Sequence, residues 1–223
     1  MIIATWNIER LKHAKELQRM RETILDEQAD VLILTEADTR LELSEYAYSF
    51  ETEPLEQPFY KSTERRVIIY SQYPILGQLE TYDPRTACCP LIETPMGIVA
   101  FYGTIVGIYG NREPSFQVDL KAQIKDWKRI SETYQLCIAG DLNMSFQDNY
   151  YFTKAGRMAM KTAFTKCKLE NVTGCLDENI DHIVLSKSLA NYSEDAFSAC
   201  SMWNLDKSLS DHIGVSMFWM QIV

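Results

Sequence analysis

The sequence lacks the features that mark several classes of protein. No apolar run is long enough to span a membrane, and the first residues do not follow the basic, apolar and small-residue order of a signal peptide. The six cysteines form no Cys-x-x-Cys pair and no zinc-like pattern with the three histidines. These absences predict a cytoplasmic protein with no membrane span and no structural zinc, and nothing in the sequence indicates an obligate protein partner.

Positive charge is also scarce. Lys and Arg number 22 against 31 Asp and Glu, which gives a formal net charge of −9. Because each phosphate contact normally uses a Lys or Arg, this balance argues against a broad basic surface for gripping nucleic acid. It is compatible with an enzyme whose bound metal ions handle the phosphate. No repeat, low-complexity tract or linker divides the chain, and we expect one domain over 1–223.

Short apolar runs of strand character are abundant, and helical patterns separate some of them. The predicted strands are 2–6, 29–35, 66–70, 75–82, 98–108, 136–139, 180–185 and 213–219. Turn-forming residues at 71–74 predict a hairpin of 66–70 and 75–82, and 98–108 is one strand or a pair. Apolar residues three or four apart predict helices over 11–28 and about 115–134, and another through Met158, Met160 and Phe164. We expect 41–61 to form a surface loop or short strands, and 145–152 to form a loop.

The stretch from Leu136 to Asn143 delivers two polar side chains to the end of a buried strand. Its apolar run is followed by Gly140, where the chain turns, and then by Asp141 and Asn143. Ligands of layered α/β proteins bind at the carboxyl ends of strands. Taken alone, this stretch is more typical of a strand followed by an ordinary Asx turn.

Other strands end in the same way, which favours a shared site. In Asp181-His182, neighbouring strand residues point to opposite faces, and we expect Asp181 to be the one that faces the site. An isolated Asp211-His212 would more often be a surface pair. The polar residues at strand ends are Asn7, Glu9, Glu36, Asp141, Asn143, Asp181, Asp211 and His212.

A group of converging carboxylates predicts a bound cation. Without one, the carboxylates would repel each other and raise each other's pKa. Oxygen ligands from carboxylates and amides suit Mg²⁺ or Mn²⁺ better than zinc.

The ordered set of motifs resembles the endonuclease/exonuclease/phosphatase superfamily, which includes pancreatic deoxyribonuclease, abasic-site endonucleases, sphingomyelinases, inositol polyphosphate phosphatases and deadenylases. The matching motifs are Trp6-Asn7-x-Glu9, Thr35-Glu36, Gly140-Asp141-Leu142-Asn143, Ile180-Asp181-His182 and Ser210-Asp211-His212. The segment from Arg66 to Ile75 also resembles the hairpin segment of the family. The resemblance implies an α/β fold, a four-layered α/β/β/α sandwich of the deoxyribonuclease-I type.

The resemblance also implies roles for these residues. Glu36 would be the principal metal ligand, with Asn7 and Glu9 near the ion, and Asp211 would help to bind it. His212, oriented by Asp181, would stabilise the phosphate and assist the attacking water. Asp141 would act on a proton of the water or of the leaving group. Asn143 would donate its amide to a phosphate oxygen.

Two departures from the family bear on the substrate. Thr104 stands where deoxyribonucleases and sphingomyelinases have His and abasic endonucleases have Tyr, although a Thr can still donate one hydrogen bond. Glu178 stands where abasic endonucleases have a pocket Trp, which argues against a dedicated abasic-site function. Candidate substrate contacts in variable loops are Arg40, Arg112, Asn149, Tyr150, Tyr151 and Trp203, where the aromatic rings could stack on bases or cap the core.

The sequence therefore favours a phosphodiester hydrolase that uses Mg²⁺ or Mn²⁺ and acts on DNA or RNA. A phosphatase or phosphodiesterase for a small or lipid-like phosphate ester is the alternative that the acidic composition favours. A catalytically inactive member that binds a partner is a third hypothesis, which Thr104 favours slightly and the complete motif set opposes.

Overall fold

The structure is a computed structural model that describes residues 1–191 and 196–221. The strands are β1 (Ile2–Asn7), β2 (Val31–Asp38), β3 (Tyr48–Glu51), β4 (Glu64–Ser71), β5 (Ile75–Gln78), β6 (Ala87–Cys88), β7 (Pro90–Thr94), β8 (Gly97–Ile105), β9 (Gln135–Asp141), β10 (Leu169–Asn171), β11 (Asp181–Ser186), β12 (Ala196–Trp203) and β13 (Gly214–Gln221). The α-helices are α1 (Leu17–Asp26), α2 (Pro114–Ser131), α3 (Lys154–Lys166) and α4 (Lys187–Ala190).

The strands form two mixed sheets. The first has the order β12-β13-β1-β2-β4-β3, and the second has the order β10-β11-β9-β8-β7-β5 with β6 paired to β8. Each sheet contains one parallel pair, β1 with β2 and β8 with β9, among antiparallel neighbours. The parallel pairs bring the carboxyl ends of their strands to the same edge of each sheet.

Three apolar clusters show that the sheets pack face to face with helices outside. The central cluster joins Ile33 and Val67 of the first sheet to Phe101 and Cys137 of the second. A second cluster packs α2 and α3 on the outer face of the second sheet, and a third packs α1 on the outer face of the first. The chain thus has the predicted α/β/β/α sandwich fold.

The predicted hairpin of 66–70 and 75–82 is wrong, because its two strands belong to different sheets. Strand β4 pairs with β2 and β3, whereas β5 pairs with β7. Between them, the Ser71 hydroxyl accepts a hydrogen bond from the Tyr73 amide at 2.9 Å and turns the chain. Turn residues indicate where a chain bends, but the partner of each strand is decided by neighbours distant in sequence.

The first helix is shorter than the predicted 11–28. Two 3-10 turns, Glu9–Leu11 and Ala14–Glu16, precede α1, and Glu9, Arg10 and Leu11 have positive φ angles. The Glu9 amide donates to the Asn7 side-chain oxygen at 3.0 Å and ties the start of this segment to the end of β1. Helix α1 therefore begins at Leu17 and not at residue 11.

Other elements agree with the sequence or extend it. Residues 98–108 contain one strand and not a pair, and α2 and α3 are present. Strands β6, β7, β10 and β12 were not predicted, and β3 lies within 41–61, for which a surface loop or short strands were expected. Among the described residues, no helix combines the length and apolar character needed to cross a membrane.

Candidate active site

Strand pairing brings the polar strand ends to one rim. In the parallel pair of β1 and β2, Asn7 lies beside Thr35, so Glu36 follows immediately next to it. In the second sheet, Asp141 at the end of β9 lies opposite Asp181 at the start of β11. The Asn7 amide nitrogen lies 3.3 Å from Asp141 Oδ2 and 3.5 Å from Glu36 Oε1, and it therefore joins the two sheets.

Gly140 is required for this approach. Its φ is +134°, and a Cβ placed there would lie 2.0 Å from the backbone oxygen of Thr104 and 3.0 Å from Thr35 Cγ2. No larger residue fits between β8 and the first sheet at this point. Gly140 therefore lies within β9 and not at the predicted turn, and it lets Asp141 approach the first sheet.

Asp181 and His212 form a tightly held ion pair. The distance between Asp181 Oδ2 and His212 Nδ1 is 2.5 Å, and the carboxylate is almost completely buried. Burial disfavours the charged imidazole, but the adjacent Asp181 outweighs it and raises the pKa of His212 to about 10. The imidazole is therefore charged at neutral pH, and its Nε2, 3.7 Å from Asp211 Oδ1, is its remaining donor.

The segment that carries His212 is fixed by backbone contacts to the first sheet. The Ser210 hydroxyl donates to the Asn7 carbonyl at 2.6 Å and accepts from the His212 amide at 3.2 Å. The Asn204 side chain donates to the carbonyls of Ser210 and His212 at 2.9 and 2.7 Å. The imidazole is thus positioned by β1 and by the turn after β12.

The pKa of Asp141 is raised to about 7, first by burial and further by the carboxylates of Asp181 and Glu36. Two contacts lower this pKa: the positive charge of His212, and the backbone amide of Asn143, which donates to Asp141 Oδ1 at 2.8 Å. A carboxyl that titrates near neutral pH is suited to both accept and release a proton during a reaction.

Glu9 and Asp211 extend the acidic rim. Glu9 Oε2 accepts a hydrogen bond from the Asp211 amide at 2.8 Å, and Glu9 Oε1 contacts Lys12 Nζ at 2.9 Å. Burial opposes the charged form of Glu9, but Lys12 and the Asp211 amide outweigh it and lower the pKa of the carboxyl.

The donor set fits a hard divalent cation. Asp141, Asp181 and His212 each offer an atom within 4.8 Å of the others, but His212 uses Nδ1 to contact Asp181, and Mg²⁺ prefers oxygen. Glu36 lies beside Asn7 and close to Asp141 and provides such oxygens. The buried Oδ1 of Asp181 also has no hydrogen-bond partner among the described residues. We therefore regard the oxygen atoms of this rim as the candidate ligands.

The side-chain donors of Asn143 and Thr104 both have partners within the protein. The side-chain nitrogen Nδ2 of Asn143 donates to the carbonyls of Val106 and Gly107 at 3.1 and 3.3 Å. It therefore holds the loop after β8. The Thr104 side chain is completely buried and donates to Gln123 Oε1 of α2 at 2.9 Å, so it anchors a helix and does not face a substrate.

A cavity of about 280 Å³ opens beside the ion pair of Asp181 and His212. Tyr150 lies at its rim, half exposed, and its hydroxyl accepts a hydrogen bond from Lys207 Nζ at 3.1 Å. The residues that line the cavity are Asn143, Tyr150, Tyr151, Glu178, Ile180, Asp181, Lys207, Asp211, His212 and Ile213. Tyr150 and Tyr151, two of the candidate substrate contacts, therefore line this cavity.

The other predicted substrate contacts have different surroundings. Trp203 is a core residue, 7% exposed, with its ring 4.7 Å from the ring of Trp6. This corrects its assignment to a variable loop, because Trp203 ends β12. Arg40 forms an ion pair with buried Asp38 at 2.6 Å. Arg112 and Asn149 are exposed loop residues.

The structure places two cationic side chains at the site that the sequence analysis did not single out. Arg10 Nε lies 3.2 Å from Glu36 Oε2, and Lys207 lines the cavity. Arg10 directly precedes the helix predicted over 11–28, a place where a cation is ordinarily solvated. Only the 3-10 turn with positive φ angles directs it to Glu36.

Asp181 and the neighbouring His182 face opposite sides of β11. The His182 ring is completely buried on the α3 side, with Nε2 donating to the Met144 carbonyl at 2.9 Å and Nδ1 accepting from the Thr173 hydroxyl at 3.1 Å. Burial lowers the pKa of His182 to about 4, so this histidine is neutral and structural.

Known structures share this fold at low sequence identity. A 3′ phosphatase from Neisseria bound to a product DNA hairpin matches with a TM-score of 0.74 and 14% identity, covering 99% of both chains. An AP endonuclease from Archaeoglobus fulgidus matches with a TM-score of 0.70 and 14% identity, covering 98% of this chain and 99% of the other. An endonuclease/exonuclease/phosphatase from Beutenbergia cavernae DSM 12333 matches with a TM-score of 0.69 and 18% identity, covering 99% of this chain and 71% of the other.

No curated protein sequence matches this chain as a relative. The model of the Endonuclease/Exonuclease/phosphatase family matches residues 4–212, a range that contains every polar strand end described above. The chain therefore belongs to the Endonuclease/Exonuclease/phosphatase family and is a hydrolytic phosphoesterase.

Proposed function

We propose that this phosphoesterase is a nuclease that hydrolyses phosphodiester bonds in DNA or RNA and depends on Mg²⁺ or Mn²⁺. The observation that carries the proposal is the meeting of the Asp181–His212 ion pair, the protonatable Asp141 and the Glu36 carboxylate at one rim beside an open cavity. The fold neighbours named for a 3′ phosphatase with product DNA and for an AP endonuclease support a nucleic-acid substrate.

The side chains of the rim provide complementary functions. The charged His212 offers Nε2 to a non-bridging phosphate oxygen, and Asp181 keeps the imidazole charged and oriented. Asp141, with a pKa raised to about 7, exchanges a proton with the water or the leaving group. Thr104 anchors α2 from outside the reacting centre, whereas Asn143 lines the cavity and its side-chain nitrogen lies 3.4 Å from Asp141 Oδ2.

A divalent cation would be held by oxygens of the acidic rim, with Glu36 as its principal ligand and Asn7, Glu9 and Asp211 near it. When bound, it would neutralise charge on the phosphate and lower the pKa of a bound water. The separation of Glu36 and Asp141 by one amide is the feature of the structure that supports this arrangement.

The first test is a comparison of plasmid nicking and phosphate release. We expect nicking or oligonucleotide cleavage with Mg²⁺ and none with EDTA. Asp141→Ala should lower the rate by ~10²–10⁴-fold, as expected for loss of a general acid–base. Asp26→Ala, which removes an exposed carboxylate at the end of α1, is the matched control and should cleave at the wild-type rate.

A small or lipid-like phosphate ester is the second candidate substrate. The formal net charge of −9 supports it, since the whole protein repels a long polyanion. Metal-dependent phosphate release from a panel of sugar phosphates and phospholipid head groups, with no cleavage of any nucleic acid, would establish this alternative and refute the nuclease.

A further inference from the structure

We propose that Arg10, Tyr60 and Arg66 form an anion-binding subsite beside Glu36 that takes a second phosphate group of the substrate. Anion binding by these three residues is independent of the reaction. Only the statement that the anion belongs to a nuclease substrate rests on the proposed function.

Arg66 is a buried guanidinium without a countercharge. The residue is 7% exposed, and within residues 1–191 and 196–221 no carboxylate lies in ion-pair distance of it. Its Nη2 donates to the Tyr60 hydroxyl at 2.5 Å, and its Cζ lies 4.7 Å from the centre of the Tyr60 ring. A buried charge that lacks an opposite charge is costly, and a bound anion would remove that cost.

The nearest carboxylates along the strands are held by other cations. Because Thr35 pairs with Val67 and Ala37 with Arg65, Glu36 lies across from Arg66, yet Glu36 contacts Arg10. Glu64, two residues before Arg66, contacts Lys61 Nζ at 3.6 Å. Neither of these carboxylates is therefore available as an ion-pair partner of Arg66.

Arg10 brings a second guanidinium to the same ring. Its Cζ lies 5.8 Å from the centre of the Tyr60 ring, and its side chain is 44% exposed. The guanidinium groups of an exposed arginine and of a buried arginine therefore both approach the same aromatic ring. Guanidinium groups bind phosphate through two parallel hydrogen bonds, which makes this pair suited to a phosphate group.

The contact of Arg10 with Glu36 places the subsite next to the acidic rim. An anion held by Arg10 and Arg66 would be a neighbour of the phosphate that reacts at the rim, and not that phosphate itself. In a protein with a net charge of −9, this local pair of arginines would favour substrates that carry a further phosphate beside the scissile one.

A thermal-shift titration with inorganic phosphate in EDTA tests the subsite without metal or turnover. At ten times its dissociation constant, phosphate should raise the Tm of the wild type by about 3–6 °C relative to sodium chloride of equal ionic strength. Arg10→Gln and Arg66→Gln should abolish most of this rise. Arg65→Gln, on the other face of β4 and paired with Glu51 at 2.9 Å, should retain it.

An equal rise in the wild type and in both arginine variants would overturn the subsite, as would no rise in the wild type beyond the chloride control. Because Arg10 is exposed, Arg10→Gln keeps the test decisive even if Arg66→Gln fails to fold. Metal-dependent nicking without a phosphate response would leave the proposed nuclease intact and remove only the subsite. A phosphate response that depends on the two arginines, without nicking, would support the subsite and contradict the proposed nuclease.

The second measurement compares dinucleotides with and without a terminal phosphate at either end, using kcat/KM ratios within each variant. Ratios cancel any general loss of activity. The wild type should prefer one phosphorylated form by at least about 10-fold, in line with charge-assisted hydrogen bonds, and the arginine variants should lose this preference. Equal kcat/KM values for all forms in the wild type would refute the role in substrate selection.

Discussion

Acidification should unfold this protein through His182, whose ring is buried and neutral. In the unfolded chain a histidine titrates near ~6.5, whereas burial lowers the pKa of His182 to about 4 in the fold. The unfolded state therefore binds a proton that the native state excludes. The contribution to stability is complete above the unfolded pKa and is lost as the pH falls from about 6.5 towards about 4.

The size of the effect follows from the two pKa values. Between pH 7.5 and 4.5, the proton taken up by the unfolded chain should lower the free energy of unfolding by about 2–3 kcal/mol. His182 is completely buried, so solvent screening does not reduce this figure. Other groups also titrate in this range, and the comparison with a His182→Asn variant isolates the histidine.

Urea denaturation at several pH values between 7.5 and 4.5 measures this contribution. His182→Asn should be less stable than the wild type at pH 7.5, and the difference should shrink as the pH falls. Thr173→Val removes the hydroxyl that donates to Nδ1 but leaves the ring buried, so it should lower stability with the pH slope unchanged. Parallel pH dependences of the wild type and His182→Asn would refute the reasoning.

Three further predictions address the site and the core. Asp181→Asn should remove the carboxylate that raises the pKa of His212, so NMR titration of the ring should show this pKa falling from about 10; an unchanged pKa would contradict the ion pair. Trp203→Ala should lower the free energy of unfolding by about 3–5 kcal/mol in chemical denaturation. Leu205 is 64% exposed, so Leu205→Ala should change this free energy little. Equal losses in the two variants would contradict the position of Trp203 in the core. Glu36→Gln should weaken Mn²⁺ binding by at least about 10-fold in calorimetry, and wild-type affinity would remove Glu36 from the ligand set.

The fold class could be predicted because the motifs occur in order along nearly the whole chain. Apolar runs that end in Asn7, Glu36 and Asp141 also indicated which strand ends would meet. Strand pairing was not predictable in the same way. The segment 71–74 has the composition of a hairpin turn, yet it carries the chain from one sheet to the other, because β4 and β5 bury their residues against partners distant in sequence.

The sequence by itself determined the layered α/β fold, the family and the set of polar residues at the strand ends, because these depend on local patterns and on their order. Only the tertiary structure decided what each side chain contacts. In the folded chain, Thr104 donates to Gln123, the Asn143 side chain donates to the loop after β8, and Trp203 packs against Trp6. These outcomes depend on contacts between residues far apart in the chain, which no local pattern encodes.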